Sequence, residues 1–208
     1  MVTVEADVAG VERRLGAGLL ACGFCGGVLA RWGWAREREL RGVAGERRRV
    51  RPRRGRCSGS SGCGRTHVLL PVNALVRRAD DVAVIGAALE GKAAGRGHRV
   101  IAVGLDRPPS TVRGWLRRFG GRAERVRAVF TAWLVALVVD GELPAAAGTA
   151  VADAVAAIAG VAVATAWRFG MGGLSRWLVA SAVSSGRLLA PGWPQETINT
   201  SWPWEAAW

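Results

Sequence analysis

The sequence predicts a mainly α fold in three parts: a small β unit near the N-terminus, a compact set of helices, and a C-terminal α-helical bundle. Three observations support this prediction. Four cysteines, all before residue 64, form two separated pairs. Apolar residues at helical spacing begin near Val82, and three apolar segments rich in Ala and Val follow after residue 125. The predicted divisions are a tail over 1–19, the β unit over 20–72, the compact helices over 78–122, the helical region over 123–190 and an irregular tail over 191–208.

Charge is distributed unevenly along the 208 residues, which suffice for one sizeable domain or several small ones. The net charge is +13, and two segments carry the excess. Residues 31–56 sum to +8 (eleven Arg, three Glu), and residues 96–127 sum to +7 (nine Arg, two acids). Residues 128–208 are acidic. A basic field confined in this way indicates a polyanionic partner, with a solvated surface as the alternative.

The cysteines and the N-terminus suggest where the protein works. Four Cys in a chain of this length do not resemble a secreted disulfide scaffold. Residues 1–18 contain acids and no positively charged leader before an apolar run, so no signal peptide is expected. We therefore predict a cytoplasmic protein with reduced cysteines.

The four cysteines are typical of a zinc-ribbon-like unit. Cys22 and Cys25 are three positions apart and are followed by glycines, which permit the tight turn that two ligands of one metal need. Five residues, a Ser/Gly run, separate Cys57 from Cys63, where a ribbon normally has two. A closed site of four thiolates leaves no position for water, so a zinc ion held by Cys22, Cys25, Cys57 and Cys63 would be structural.

Alternatives to this zinc site remain open at this point. The longer second pair is also compatible with a ribbon that binds no metal. His67, four positions after Cys63, could replace Cys57 as a ligand, although a packed or hydrogen-bonding His67 is the simpler interpretation. Between the pairs, Val50 alternates with arginines, which favours an exposed strand. Arginines of this strand that could contact phosphates are Arg51, Arg53 and Arg54.

The central segment predicts a helix-turn-helix. Helices are expected over 81–94, 98–105 and 109–119, with Pro109 in the first turn of the last one. The predicted buried face of that last helix is Val112, Trp115, Leu116 and Phe119. Arg113 and Arg117, one turn apart on its other side, could reach bases or phosphates. The predicted DNA-binding residues of this unit are Arg107, Ser110, Thr111, Arg113, Arg117 and Arg118. The alternative is an amphipathic helix pair that binds nothing.

Two resemblances support DNA binding. Ile101-Ala102, Ser110-Thr111-Val112 and Trp115-Leu116 resemble the helix-turn-helix of bacterial transposases, resolvases and many regulators. Ala102 matches the small residue where the two helices cross, whereas Asp106 stands where that family often has Gly. The string from Cys63 to Pro71, followed by this unit, resembles uncharacterised bacterial proteins that carry a domain of unknown function and are often labelled transposase-like. This second resemblance spans residues 20–190 and implies DNA binding without a reaction.

The C-terminal third predicts helices over 125–139, 144–167 and 174–190, the middle one beginning at Pro144. The middle segment is long enough to span a membrane. Asp153 would cost about 3 kcal/mol there, which offsets the roughly 2.5 kcal/mol gained from its strongly apolar residues. We therefore predict a soluble bundle and no membrane partner. Its apolar content is compatible with a homodimer surface.

No catalytic constellation is apparent. Strand transfer of the transposase type needs three carboxylates on an α/β fold, and the few acids after residue 119 lie in helical sequence. No P-loop or dinucleotide fingerprint is present. The sequence thus predicts a non-enzymatic protein that binds double-stranded DNA, as a transcription regulator or a transposase-related targeting protein. The alternative is a non-catalytic protein-interaction module that forms helical oligomers.

Overall fold

The fold is mixed α/β, and the prediction of a mainly α fold is wrong. The computed structural model describes residues 1–59, 62–138 and 143–194, where helices make up 45% and strands 18%. The strands are β1 Val2–Val4, β2 Leu29–Trp34, β3 Arg38–Arg41, β4 Arg47–Val50, β5 Arg53–Cys57 and β6 Thr66–Pro71. The helices are α1 Val8–Gly16, α2 Val82–Ala93, α3 His98–Gly104, α4 Pro109–Gly120, α5 Ala123–Leu137, α6 Ala150–Arg168 and α7 Arg176–Val183.

Two segments supply β structure beyond the exposed strand expected around Val50: the N-terminal residues and residues 38–41. Residues 1–19, expected to be a tail, form β1 and α1, and Asp7 caps α1 by accepting from the backbone N–H of Gly10 at 2.8 Å. The three-residue β1 pairs in parallel with β6, so Val2 lies beside Leu69. The arginine-rich stretch, where alternation around Val50 favoured an exposed strand, contains β4 and β5, and β4 pairs with β3 in a hairpin. Because β1 and β6 lie far apart in the sequence, their pairing leaves no signature in either segment.

The four-stranded sheet has the order β1-β6-β5-β2, with β5 antiparallel to both neighbours. Its inner face packs on α1 through Val11 and Leu15, which are 5% exposed. The strand residues of that core are Val2, Val4, Leu29, Cys57 and Leu69. The β3–β4 hairpin covers part of the outer face, where Leu40 and Leu70 pack together. The cysteines thus lie at one end of a sheet that has its own small core.

Helices α2 to α7 share one larger core. Its fully buried large side chains include Ile85, Leu89, Phe119, Phe130 and Ile158, each of which stabilises the fold by roughly 1.5–3 kcal/mol. The expected division between residues 122 and 123 falls inside this core. The compact helices and the C-terminal helices are therefore packed as one body.

Helix bounds follow the predictions closely in the centre of the chain and less closely after it. The helices α2, α3 and α4 are confirmed to within one or two residues at each end. α6 begins at Ala150, not at Pro144, because Thr149 Oγ1 accepts the backbone N–H of Ala152 at 3.2 Å. α7 is shorter than expected. Of the predicted irregular tail, residues 195–208 lie outside the described part, and Trp193 is buried.

α6 is the one described helix that is long and apolar enough to cross a membrane by length and composition. Its most apolar window has a mean hydropathy of 1.8, and half of that window is buried inside the protein. α6 packs against α5, α2 and α7.

Candidate metal centre and nucleic-acid interface

The four cysteine sulfurs lie together and can bind a metal ion. All four Sγ atoms are within 4.8 Å of one another. Sγ of Cys22 is 3.7 Å from that of Cys63, and Sγ of Cys25 is 3.5 Å from that of Cys57. A tetrahedral site with metal–sulfur distances of about 2.3 Å has sulfur–sulfur edges of about 3.8 Å. None of the four forms a disulfide, and one cysteine of each pair is buried.

Two matched turns hold these sulfurs. Gly26 and Gly64 directly follow the second cysteine of each pair and have φ of 74° and 71°, a region that favours glycine. The backbone N–H of Cys22 donates to the carbonyl of Gly27 at 2.7 Å, and that of Cys57 donates to Arg65 at 2.8 Å. Each acceptor lies two positions after the second cysteine. The longer second loop therefore keeps the same closure; its Ser60 and Ser61 lie outside the described residues.

Protonation differs sharply between the thiols. Hydrogen bonds with the backbone of Gly27 and then of Cys63 lower the pKa of Cys25 to about 6. Burial raises the pKa of Cys57 to about 12. Without a metal, Cys25 is thus a thiolate at neutral pH and Cys57 a thiol, so metal binding displaces a proton from Cys57.

His67 lies behind the cysteines. It is 7% exposed, its Nε2 is 3.1 Å from Sγ of Cys22, and its Nδ1 is 3.1 Å from the Met1 amine. Burial, followed by the charge of that amine, lowers the pKa of His67. Cys57, and not His67, belongs to the group of close ligand atoms. His67 is thus placed to orient Cys22.

The turn between α3 and α4 has a defined geometry. The backbone N–H of Arg107 donates to Ala102 O at 3.0 Å, and that of Asp106 donates to Val103 O at 3.2 Å. This pair of bonds is the Schellman arrangement, which needs a left-handed residue. Asp106 is that residue, with φ of 51°. Aspartate tolerates this conformation better than most residues, so the turn forms without the glycine that the resemblance led us to expect.

α4 presents two distinct faces. Val112, Trp115 and Phe119 are buried in the helical core, whereas Leu116 is half-buried. On the opposite side Ser110, Arg113 and Arg117 are exposed, and Thr111 and Arg118 are half-buried. Within the described parts of the chain, Arg113 and Arg117 form no ion pair. The structure therefore leaves five of the six predicted contact residues on or near one surface of the helix.

Arg107 is the exception, and the prediction that it contacts DNA is corrected here. Its side chain is 5% exposed, and its Nε donates to Asp80 Oδ1 at 2.7 Å. Nη2 donates to Gly42 O at 2.7 Å, and Nη1 donates to Asp106 O at 2.8 Å. Because all three nitrogens have acceptors inside the protein, Arg107 holds the turn in place instead of facing a ligand.

The arginines of residues 51–56, just before and within β5, differ in exposure. Arg51 is exposed, and Arg54 is half-buried. Arg53 is 11% exposed, since Nε pairs with Glu12 Oε1 at 2.5 Å and its guanidinium lies 4.4 Å above the ring of Trp34. Sequence reasoning missed Arg56, which is exposed and stacks on Trp32 at 4.6 Å. Trp32 and Trp34 lie two positions apart in β2, at the edge of the sheet beside β5, and this alternation is the sequence signal that could have identified Arg56.

No family model, curated protein or solved structure matches this chain. The resemblance to bacterial helix-turn-helix proteins stays a prediction. The two sites described above therefore have to support any functional conclusion by their own geometry.

Proposed function

We propose that the protein binds double-stranded DNA with α4 as the reading helix and holds its β unit together with a structural zinc ion. The observation that carries this proposal is the exposed face of α4, where Ser110, Arg113 and Arg117 project from a helix whose other face is fixed in the core. Its role would be that of a transcription regulator or of a targeting protein of a mobile element.

The N-terminal end of α4 suits entry into the major groove of DNA. The helix begins at Pro109, and the first exposed side chains are small, so its N-terminal turn can approach base edges closely. The major groove is about 12 Å wide and admits one α-helix. Arginine contacts O6 and N7 of guanine with two hydrogen bonds. Arg113 and Arg117 form no ion pair with any described residue, so they are available for such contacts.

The two basic segments meet in space, which favours one extended interface. Arg107 of the α3–α4 turn donates to the carbonyl of Gly42, in the turn of the β3–β4 hairpin. The arginines of β4 begin at Arg47, next to that hairpin turn. A duplex bound by α4 would therefore find further positive charge beside it, supplied by residues 31–56.

Zinc is the metal that the donor set suits best. Four thiolates in a tetrahedral arrangement are the usual ligands of structural zinc, and they leave no open position for water. Protein purified without added metal is expected to contain one zinc ion per chain by elemental analysis. Cys57→Ser should lose it and melt at a lower temperature. A metal-free native chain would contradict the zinc proposal and leave the DNA proposal to its own test.

The DNA proposal is tested by duplex binding at two salt concentrations, with sites selected from a random library. Affinity of the native chain should fall steeply with salt, because arginine–phosphate contacts release counterions. Arg113→Ala/Arg117→Ala should lose at least about tenfold in affinity while staying folded. The matched control Arg168→Ala/Arg176→Ala removes the same charge from the ends of α6 and α7 and should bind like the native chain. Salt-insensitive binding, or equal binding by all three, would count against the proposal.

A second candidate function rests on an apolar surface. Val163 and Trp167 of α6 are 71% and 79% exposed and border a cleft of about 630 Å³ against the end of α5. A second copy of the chain could cover this surface, giving a homodimer that reads paired half-sites. Val163→Glu/Trp167→Ser should then be monomeric by sedimentation analysis at concentrations where the native chain is dimeric. A native dimer that binds no DNA would favour the interaction-module alternative.

A further inference from the structure

A cavity of about 300 Å³ lies at the corner where α4 ends and α5 begins. Among the described residues, its wall contains four arginines and no carboxylate. The lining residues are Arg117, Arg118, Gly121, Arg122, Arg125, Gly192 and Trp193. A water molecule occupies about 30 Å³ of liquid, so the cavity has room for a small anion and several waters.

The charges around this cavity are not compensated within the described chain. Burial, followed by the charges of Arg125 and Arg118, lowers the pKa of Arg122. Arg78 is lowered in pKa by burial and then by Arg118 and Arg122. The nearest acid in sequence, Glu124, pairs with Arg127 at 3.0 Å instead. Among the described residues, repulsion between these arginines is therefore not offset by any acid.

Backbone carbonyls relieve only part of this repulsion. Arg122 Nη1 donates to Ala190 O and, at 3.4 Å, to Trp193 O, and Arg78 Nη2 donates to Leu189 O at 3.4 Å. Arg117, Arg118 and Arg125 have no such acceptor among the described residues.

The pocket arginines lie at two helix ends with opposite dipole charge. Arg117 and Arg118, in the last turn of α4, suit the negative end of that helix. Arg122 is the N-cap of α5, where it makes no capping hydrogen bond, and Arg125 follows in the first turn. Positive charge at a helix N-terminus is unfavourable. The α5 arginines thus lie at the unfavourable end of the α5 dipole, where a bound anion would stabilise them.

We propose that this corner, the arginine pocket, binds a phosphate group. Guanidinium forks match phosphate oxygens in geometry, and four of them line a cavity whose described walls contain no competing acid. The phosphate has two possible sources. One is the backbone of the duplex bound by α4, which rests on the proposed function; the other is a free phosphate ion.

The pocket is tested first without DNA. Inorganic phosphate is titrated with protein at constant ionic strength and followed by phosphorus NMR. The native chain should broaden and shift the phosphate line, and Arg118→Gln/Arg125→Gln should weaken this binding at least about fivefold. Arg113→Ala, which lies outside the pocket, should bind phosphate like the native chain. Arg125→Gln alone, at an exposed position, serves if the double variant is unfolded. The proposal would be overturned if the pocket variants changed the phosphate line as much as the native chain does, or if the native chain left that line unchanged.

Duplex binding then separates the two sources. If the phosphate belongs to the DNA backbone, the pocket variant weakens binding to all sequences alike and reduces the salt slope by about 1–2. If it is free phosphate, Arg125→Gln alone, which changes none of the predicted DNA-contact residues, weakens phosphate binding and keeps its DNA affinity. If the native chain binds phosphate but no duplex, the proposed function is wrong and the pocket proposal stands. If Arg113→Ala loses DNA binding while neither the native chain nor any variant binds inorganic phosphate, the pocket proposal alone is wrong.

Discussion

Arg107 donates from Nε to Asp80 Oδ1 across 2.7 Å, and this ion pair joins the α3–α4 turn to the segment that precedes α2. The two side chains are 5% and 3% exposed. Arg41 donates to the other oxygen of the same carboxylate at 2.9 Å, which attaches the β3–β4 hairpin. One buried carboxylate therefore fixes how α4 sits against the β unit.

Asp80→Ala should destabilise the protein by about 3–5 kcal/mol, because it leaves the buried Arg107 without its counter-charge. Chemical denaturation followed by circular dichroism measures the loss. Glu39→Ala is the control, since Glu39 pairs with Arg47 on the surface, where such pairs contribute about 0–1 kcal/mol. Similar losses in the two variants would show that the Asp80 network does not stabilise the fold.

Gly86→Ala should cost more than about 1 kcal/mol, because an added Cβ would lie 2.3 Å from ring atoms of Trp177. That ring is held in place by its Nε1, which donates to Glu90 at 2.9 Å. Gly104→Ala, on the exposed end of α3 where nothing lies within 4 Å, should be neutral or stabilise by about 0.5–1 kcal/mol. Thermal unfolding of both variants checks this contrast, and a neutral Gly86→Ala would contradict the packing of α7 on α2.

Asp106→Gly should keep or raise stability, because glycine adopts a φ of 51° without strain. Asp106→Val should lose about 1–2 kcal/mol, since a β-branched residue is strained there. Both free energies of unfolding come from denaturant titration. Equal stability of the two variants would mean that the turn can rearrange, and α4 would then lack a fixed direction relative to α3.

In metal-free protein, Cys25 should react with iodoacetamide faster than Cys57 at pH 7. The lowered pKa of about 6 keeps exposed Cys25 mainly as thiolate at that pH, and its rate should fall as pH drops below 6. The raised pKa of about 12 keeps buried Cys57 protonated. Peptide mass spectrometry between pH 5 and 8 gives the rates, and zinc-loaded protein should be protected at both positions. Uniform labelling of the metal-free chain would contradict the arrangement of the two thiols.

The candidate sites were partly predictable. The cysteine ligands and the exposed side of α4 follow from spacing, because two ligands in one turn and residues on one helix face are close in sequence. Which arginines are exposed and which are buried could not be predicted from the spacing. Arg107 and Arg113 have the same charge and lie only six positions apart in the sequence, yet one is buried and the other exposed.

Local sequence was sufficient to place α2, α3 and α4, their turn and the cysteine group, because helical hydrogen bonds, caps and apolar periodicity depend on residues a few positions apart. The pairing of β1 with β6, the burial of Arg107 and the arginine pocket depend instead on the packing of the whole chain. Each of these depends on groups far apart in the chain: Arg107 meets Gly42 across 65 positions, and Arg122 meets Ala190 across 68. Such contacts are set by how whole elements pack, which no short window of sequence contains.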